Sequence, residues 1–401
     1  MAVGNWNLFF HPVPGARLSA TAAGIKGDGV RDVVLFEFAD GSHTAGVFTR
    51  SLFAAAPIQV ARRNLGVLSP RYFLVNSGNA NAATGDEGIN DAELCCKAVS
   101  QQTGTRPQET VPFSTGVIGE RLPTREITDV ICELHAQLHE NNWLEAAEGI
   151  MTTDTHPKIA TRRFEIQDTP VTITGIAKGS GMIQPNMATM LAYIATDARA
   201  DSQQLDGLLR KSVEKSFNRI TVDSDTSTND ACMLTATGVS GIDLSDEVAC
   251  DVFSPQLESL MQELSQGLIR DGEGATKFVT VVVEGGSTQD ICLKIAYAIA
   301  NSPLMKTAIY AGDANWGRVV MAIGKAGVSV DPTKINVYLG DVRLMLNGGK
   351  DPDYREQEGA AVMAEDEITI RVDLGSGDCT ETVWTSDLSY EYIRINAEYR
   401  T

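Results

Sequence analysis

Strand-like and helix-like runs are interleaved along this chain without a regular β–α–β alternation, and that irregularity limits the architectures open to it. Apolar runs with strand character fall at residues 33–38, 72–76, 163–167, 171–174, 277–283, 335–339, 368–372 and 382–384. Runs with helical spacing fall at 89–102, 124–140, 143–151, 202–216, 255–268 and 291–301. A doubly wound parallel sheet would need the two kinds to alternate strictly, so a layered α/β or α+β fold is expected. Asp201, Asp251 and Ser254 stand where helix N-caps are expected. A length of 401 residues is enough for two or three domains. The pattern divides into a β-rich first half ending near residue 188 and a second α+β half.

Charge and hydropathy remove several function classes. The chain carries 33 Lys and Arg against 52 Asp and Glu, a formal net charge of −19. So negative a surface repels phosphate backbones and anionic headgroups, and no basic run offsets it, so neither nucleic acid nor a membrane is an expected partner. No window approaches the roughly 18 uninterrupted apolar residues that a membrane span requires. The opening MAVGNWNLFFHPVPGARL lacks a basic segment followed by an apolar one, so no secretory signal is expected. The seven cysteines (Cys95, Cys96, Cys132, Cys232, Cys250, Cys292, Cys379) are odd in number, scattered, and without a CxxC pair. They read as small packed hydrophobes in a reducing compartment, the cytoplasm.

The punctuation between the runs is more informative. Small polar residues and glycines gather at 76–81 (NSGNAN), 114–116 (STG), 178–181 (KGSG) and 223–230 (DSDTSTND). Loops of this kind, fed by apolar strands, usually carry binding and catalytic groups, and several in one chain point to one composite site. Metal is a poor candidate for it. His135 and His139 share a helix-like face, but Ala136 stands where an HExxH motif needs glutamate. The run 175–181 is not a P-loop, because Gly179 rather than Lys precedes Ser180. Asp223 and Asp225 have the D-x-D spacing of aspartyl-phosphate phosphatases, yet a self-capping turn accounts for them better. No histidine sits in a loop suited to a Ser or Cys triad.

Threonine chemistry without histidine remains. A hydroxyl nucleophile needs a base, and an N-terminal threonine can use its own α-amine, whose pKa is near neutral. Such a threonine must first be freed by chain cleavage. The segment KGSGMIQPNMATML at 178–191 has glycines for tight geometry, Pro185 to stiffen the approach, and the small Ala188 before Thr189. The apolar residues 190–194 then read as a buried strand beginning beside Thr189. By spacing alone, an ordinary loop-to-strand threonine is the plainer reading.

That segment closely resembles the autocleavage motif of the ornithine acetyltransferases, the bifunctional or monofunctional glutamate N-acetyltransferases of arginine biosynthesis. NSGNANAATG (76–85), STGVIGE (114–120), TTDT (152–155), SFNRITVDSDTSTND (216–230) and DGEGATK (271–277) are similar to family blocks. So are IANSPLMKTAIYAGDANWGR (299–318), INVYLGDV (335–342) and INAEYRT (395–401), so the likeness spans essentially the whole chain in order. One departure is Ser224, where the family more often has glycine.

The resemblance implies mixed β-sheets sandwiched by helices, similar in spirit to N-terminal-nucleophile hydrolases. It implies a precursor cut between Ala188 and Thr189 into an α chain (1–188) and a β chain (189–401), assembled as an (αβ)2 heterotetramer. Thr189 would be the nucleophile and Thr115 with Gly116 the oxyanion hole. Thr152, Lys178, Thr189, Glu273, Asn396 and Thr401 match substrate-contacting positions. The implied reaction is ping-pong acetyl transfer from N2-acetyl-L-ornithine to L-glutamate, with no metal or organic cofactor. Lys178 suits the substrate carboxylate, and Glu273 or the terminal carboxylate of Thr401 suits the ammonium. Acetyl-CoA as a second donor is left open, since both kinds of member share these motifs. Three readings compete: the acetyltransferase, a related self-processing amidohydrolase or aminopeptidase with water as acceptor, and a non-enzymatic scaffold. A clavulanate-pathway acetyltransferase of the same family would use the same residues.

Overall fold

The computed structural model describes residues 3, 4, 6–184 and 190–398. Packing divides the described residues into two compact units, one built from residues 6–218 and 226–268, the other from 219–225 and 269–398 together with residues 3 and 4.

The first unit is layered because several of its strands are apolar on both faces. Val33–Phe38 (VVLFEF) is buried at every position. Its even-numbered residues Val34, Phe36 and Phe38 enter one core with Phe73, Phe113, Ile176, Tyr193 and Met233, and Phe36 meets Tyr193 at a centroid distance of 5.0 Å. Its odd-numbered residues Val33 and Leu35 enter a second core with Cys95, Val99, Ile127 and Leu134. Period-2 alternation in one strand therefore serves two layers at once. The first sheet has the order Ala16–Thr21, Val33–Phe38, Tyr72–Asn79, Thr110–Val117, with only the last pair parallel. The second has the order His43–Phe48, Ala231–Ala236, Leu191–Thr196, Thr169–Lys178, Lys158–Ile166. Its one parallel pair joins Ala231–Ala236 to Leu191–Thr196. Helices Gly85–Thr103, Thr124–Asp129 and Ile131–Ala136 cover the first sheet. Helix Glu247–Arg270 covers the second, its Leu260 and Leu264 lying against Gly175. Two facing sheets between helices give the expected mixed, helix-sandwiched architecture.

The second unit has one seven-stranded sheet, running from Gly349–Lys350 through Val342–Leu346, Asn336–Leu339, Glu367–Asp373, Phe278–Gly286 and Cys379–Ser386 to Ile220–Thr221. In Phe278–Gly286, Val279, Val281 and Val283 point into a core with Ile368, Ile370 and Val372. Helices Gln289–Ala300, Pro303–Tyr310 and Trp316–Gly324 cover that face with Ile295, Ile299, Met305, Ile309 and Val319.

Three sequence expectations shift. The helix expected over 124–140 ends at Ala136 and breaks at Val130. β-Branched residues crowd its middle, and beyond it His139 exchanges two backbone hydrogen bonds of 3.0 Å with Leu18. The helix expected from 255 begins at Glu247, so Asp251 and Ser254 are interior residues rather than caps. Asp246 is the cap, accepting from the Ala249 N–H at 2.9 Å, and the Ser254 hydroxyl bonds back to the Cys250 carbonyl at 2.7 Å. Finally, packing does not divide at 188/189. Thr169–Lys178 and Leu191–Thr196 are antiparallel neighbours in one sheet, with Lys178 opposite Leu191, so the 1–188 and 189–401 chains would not be separate domains.

Ser224 stands at φ 68°, the left-handed region where a side chain costs about 1–2 kcal/mol and glycine almost nothing. It is exposed. A Ser224→Gly variant is therefore expected to gain about 0.5–1 kcal/mol once glycine's larger unfolded-state entropy is set against the relieved strain. A rise in the urea midpoint at constant slope checks this, and an unchanged or lower midpoint counts against it.

Candidate active site

The first unit brings its polar loops together at the ends of three strands from two sheets. Strands Tyr72–Asn79 and Thr110–Val117 run parallel until the register slips at Gly78 and Asn79. There the backbones nearly touch: a Cβ on Gly116 would lie 2.2 Å from the carbonyl carbon of Gly78 and 2.5 Å from the amide nitrogen of Asn79. Gly116 also has φ 135°, so no other residue fits without parting the strands. Thr115 is held at this crossing. Lys178 ends its strand in the other sheet and donates from Nζ to the Thr115 hydroxyl at 3.1 Å and the Thr152 hydroxyl at 2.9 Å.

Asp154 organises this cluster. Its carboxylate accepts from the Gly179 N–H at 2.7 Å and the Thr152 N–H at 3.0 Å, so it fixes the residue after Lys178 and the residue that Lys178 binds. It also takes Lys158 Nζ at 2.5 Å, with both side chains essentially sealed from solvent. Burial alone would raise the Asp154 pKa, but the Lys158 and Lys178 ammonium groups hold it below the usual carboxylate range. Asn229 donates to the Ala80 carbonyl at 2.6 Å and the Ser114 carbonyl at 2.9 Å. Ser114 donates in turn to Asn76 at 2.6 Å. The 226–230 part of the DSDTSTND loop thus supports the crossing inside the first unit. Asp230 is buried at the head of its strand, and burial pushes its carboxyl well up, against the opposing effects of Ser227 and Lys178.

In the second unit Glu273, largely buried, accepts from Asn396 Nδ2 at 2.7 Å. Asn396 lies on helix Tyr390–Glu398, and Ser389 ties that helix to the Gly274 carbonyl at 2.6 Å. Tyr392 donates to Asp223 at 3.1 Å. Nearby Lys306 is buried, donates to Thr385 Oγ1 at 2.8 Å and to the Ser386 carbonyl, and burial lowers its pKa to about 8 against the pull of Asp387 and Asp223.

The expected site residues thus fall into two groups, Thr115, Gly116, Thr152 and Lys178 in one unit and Glu273 with Asn396 in the other. Ala188, Thr189 and Thr401 lie outside the described residues. Among the described residues, no group of three or more His, Cys, Asp or Glu side chains is placed to hold a metal ion, and no helix is long and apolar enough to cross a membrane. Sequence reasoning missed Asp154 and Lys158. Their only signal was an acid and a lysine four residues apart around the TTDT block, a spacing too common to stand out.

Known proteins agree with the resemblance. The family model described as the ArgJ family matches residues 17–401. The arginine biosynthesis bifunctional protein ArgJ of Pseudomonas syringae pv. tomato is 51% identical over 100% of both chains. That of Psychrobacter arcticus is 47% identical, also over 100% of each. A solved structure of the Bacillus halodurans arginine biosynthesis bifunctional protein argJ is 38% identical, covering 51% of this chain and 96% of its own, with a TM-score of 0.49. A near-complete family match and full-length relatives at about half identity leave one conclusion, that this chain belongs to the ArgJ family.

Proposed function

We propose that the protein is an acyltransferase of arginine biosynthesis that moves an acetyl group from N2-acetyl-L-ornithine to L-glutamate. The observation that carries this reading is the Lys178 ammonium joining the Thr115 and Thr152 hydroxyls, at the start of the segment 178–191 that holds the Ala188-Thr189 pair. In the proposed sequence the chain cuts itself between Ala188 and Thr189. The freed α-amine of Thr189 takes the proton of its own hydroxyl, and that oxygen attacks the acetyl carbonyl. The Thr115 hydroxyl and the Gly116 N–H meet the negative charge that develops on the carbonyl oxygen. The C–N bond breaks, the amine takes the proton, and ornithine leaves an acetyl-threonine ester. The amine of glutamate then attacks the ester carbonyl, and the C–O bond to Thr189 breaks. The proton lost by that amine passes through the Thr189 α-amine to the released hydroxyl oxygen, and acetylglutamate leaves.

Lys178 suits the substrate carboxylate. Glu273, which accepts from Asn396, suits the ornithine ammonium. The reaction needs no metal or organic cofactor, and acetyl-CoA is a candidate second donor, in keeping with the bifunctional relatives. A cytoplasmic (αβ)2 heterotetramer of the cleavage products completes the proposal.

Purified protein incubated with acetylornithine tests it. Without glutamate, one ornithine per active site is expected in a burst; with glutamate, turnover and acetylglutamate. Continuous acetate release without glutamate would instead support the amidohydrolase, and no ornithine at all the scaffold. Intact mass under denaturing conditions should show two chains, and a Thr189→Ala control one chain of about 43 kDa.

A further inference from the structure

The two amino acids of the proposed reaction differ in charge away from the reacting nitrogen. Acetylornithine brings one carboxylate and a side-chain ammonium; glutamate brings two carboxylates. A site that takes both in turn needs a cation for the second carboxylate, separate from the one that holds the carboxylate they share.

Lys26 is placed for that task. Its loop is pinned by Asp32, a fully buried carboxylate that accepts from the N–H groups of Ala23 and Ile25 at 2.6 Å and of Lys26 at 3.1 Å. The lysine stem runs over the strand crossing: a Cβ on Gly78 would lie 3.0 Å from Lys26 Cγ, and Gly78 is the residue that Gly116 abuts. Nζ of Lys26 donates to the Met151 carbonyl at 3.0 Å. The next residue, Thr152, receives Lys178 Nζ, so two ammonium groups flank the Met151–Thr152 peptide. One of the three Lys26 donors is used there, leaving two for a ligand.

The local charge also favours an anion. Asp32 and Asp154 are the carboxylates that act on Lys26. Asp32 is committed to backbone N–H groups, Asp154 to Lys158 and backbone. Three lysines (Lys26, Lys158, Lys178) stand with these two carboxylates and with Asp230, whose carboxyl burial holds toward its neutral form against the pull of Lys178, so the balance is positive. Burial lowers the Lys26 pKa, Asp32 and Asp154 oppose this, and Lys178 lowers it further, so an arriving carboxylate relieves the strain on the ammonium.

We propose that Lys26 is the specificity-determining residue that receives the side-chain carboxylate of the acceptor glutamate, with Lys178 taking the α-carboxylate. The inference rests on the acetyl-transfer reading and deepens it. The acceptor's side chain is then read by the positive charge of Lys26.

The test compares glutamate with glutamine, its uncharged counterpart, as acceptors for the acetyl-enzyme, with rates normalised to the ornithine burst. Lys26→Gln should lower the glutamate-to-glutamine ratio of kcat/KM by about 10- to 100-fold, the worth of a charged hydrogen bond, mainly through KM for glutamate. Lys26→Arg should keep most of the preference. An unchanged ratio in Lys26→Gln overturns the inference. So does a Lys26→Gln and Lys26→Met pair that both lose the burst while Lys26→Arg keeps it, because Lys26 would then serve the donor step or the fold. Absence of an ornithine burst in the unmodified protein would refute the acetyl-transfer reading itself.

Discussion

Gly116→Ala is expected to reduce acetyl transfer by at least about 100-fold while leaving the second unit folded. The added methyl would have to occupy a point 2.2 Å from one backbone atom and 2.5 Å from another, and backbone has no rotamer by which to yield. The strands Tyr72–Asn79 and Thr110–Val117 must part at the crossing, which moves Thr115 away from Lys178. A displacement of about 1 Å in a catalytic group typically costs about 100-fold, and the loss of one oxyanion donor about 100- to 1,000-fold. Turnover falls with little change in KM if the crossing serves the transition state. The check is kcat in the presence of glutamate beside a thermal scan. Transfer within a few-fold of the parent protein would show that the crossing has no part in the chemistry.

Much of this site is legible in the sequence, and the reasons are local. NSGNAN, STG and KGSG announce themselves because glycine and small polar residues interrupt apolar strands, and the structure gathers these three loops in one place. Two of the strands leading to them show as apolar runs at 72–76 and 171–174, but the third was harder to see. Thr110–Val117 (TVPFSTGV) contains a proline and a glycine, both of which read as breakers. Proline is tolerated there because the strand lies at the edge of its sheet. The strand His43–Phe48 (HTAGVF) carries His, Thr and Gly that dilute its apolar signal, and helix Pro303–Tyr310 is only about two turns long. Asp154 and Lys26 were invisible for a different reason. Each matters through partners far along the chain, Lys26 with Met151 and Gly78, Asp154 with Gly179. No spacing rule reports such distant meetings.

Asp154→Asn should be the most destabilising single change in the first unit's polar cluster, by about 3–5 kcal/mol. It removes the charge that compensates Lys158, whose side chain is 1% exposed, and an uncompensated buried ammonium carries a penalty of that order. The amide also offers a donor where the Gly179 and Thr152 N–H groups need an acceptor. The pH dependence has a definite sign. A carboxylate held below its unfolded value contributes stability above that value, near 3.8, and loses it as pH falls toward the depressed folded value. The parent protein should therefore lose this contribution in the acid range below about pH 4, and the variant should lack that part of the slope. Urea midpoints measured from pH 7 to pH 3 test both points. An Asp154→Asn/Lys158→Met double variant should regain most of the stability, since neither charge is then stranded, yet remain slow in transfer because Thr152 and Gly179 have lost their anchor. A single variant as stable as the parent would show that the pair is dispensable.

The second sheet of the first unit has a further consequence for the cleaved protein. Its order places Ala231–Ala236 and Leu191–Thr196 between His43–Phe48 on one side and Thr169–Lys178 on the other. A cut between Ala188 and Thr189 would leave each product chain supplying alternate blocks of one hydrogen-bonded ladder. Neither product would own the whole of that sheet, and neither could shed its partner without exposing raw strand edges there. Before the cut, folding is a first-order process of one molecule. After it, regaining the same fold requires two molecules to find each other, and native-state stability becomes a function of concentration. Self-processing would thus turn a protein that can refold after unfolding into one whose assembly is, at cellular dilution, close to a one-time event.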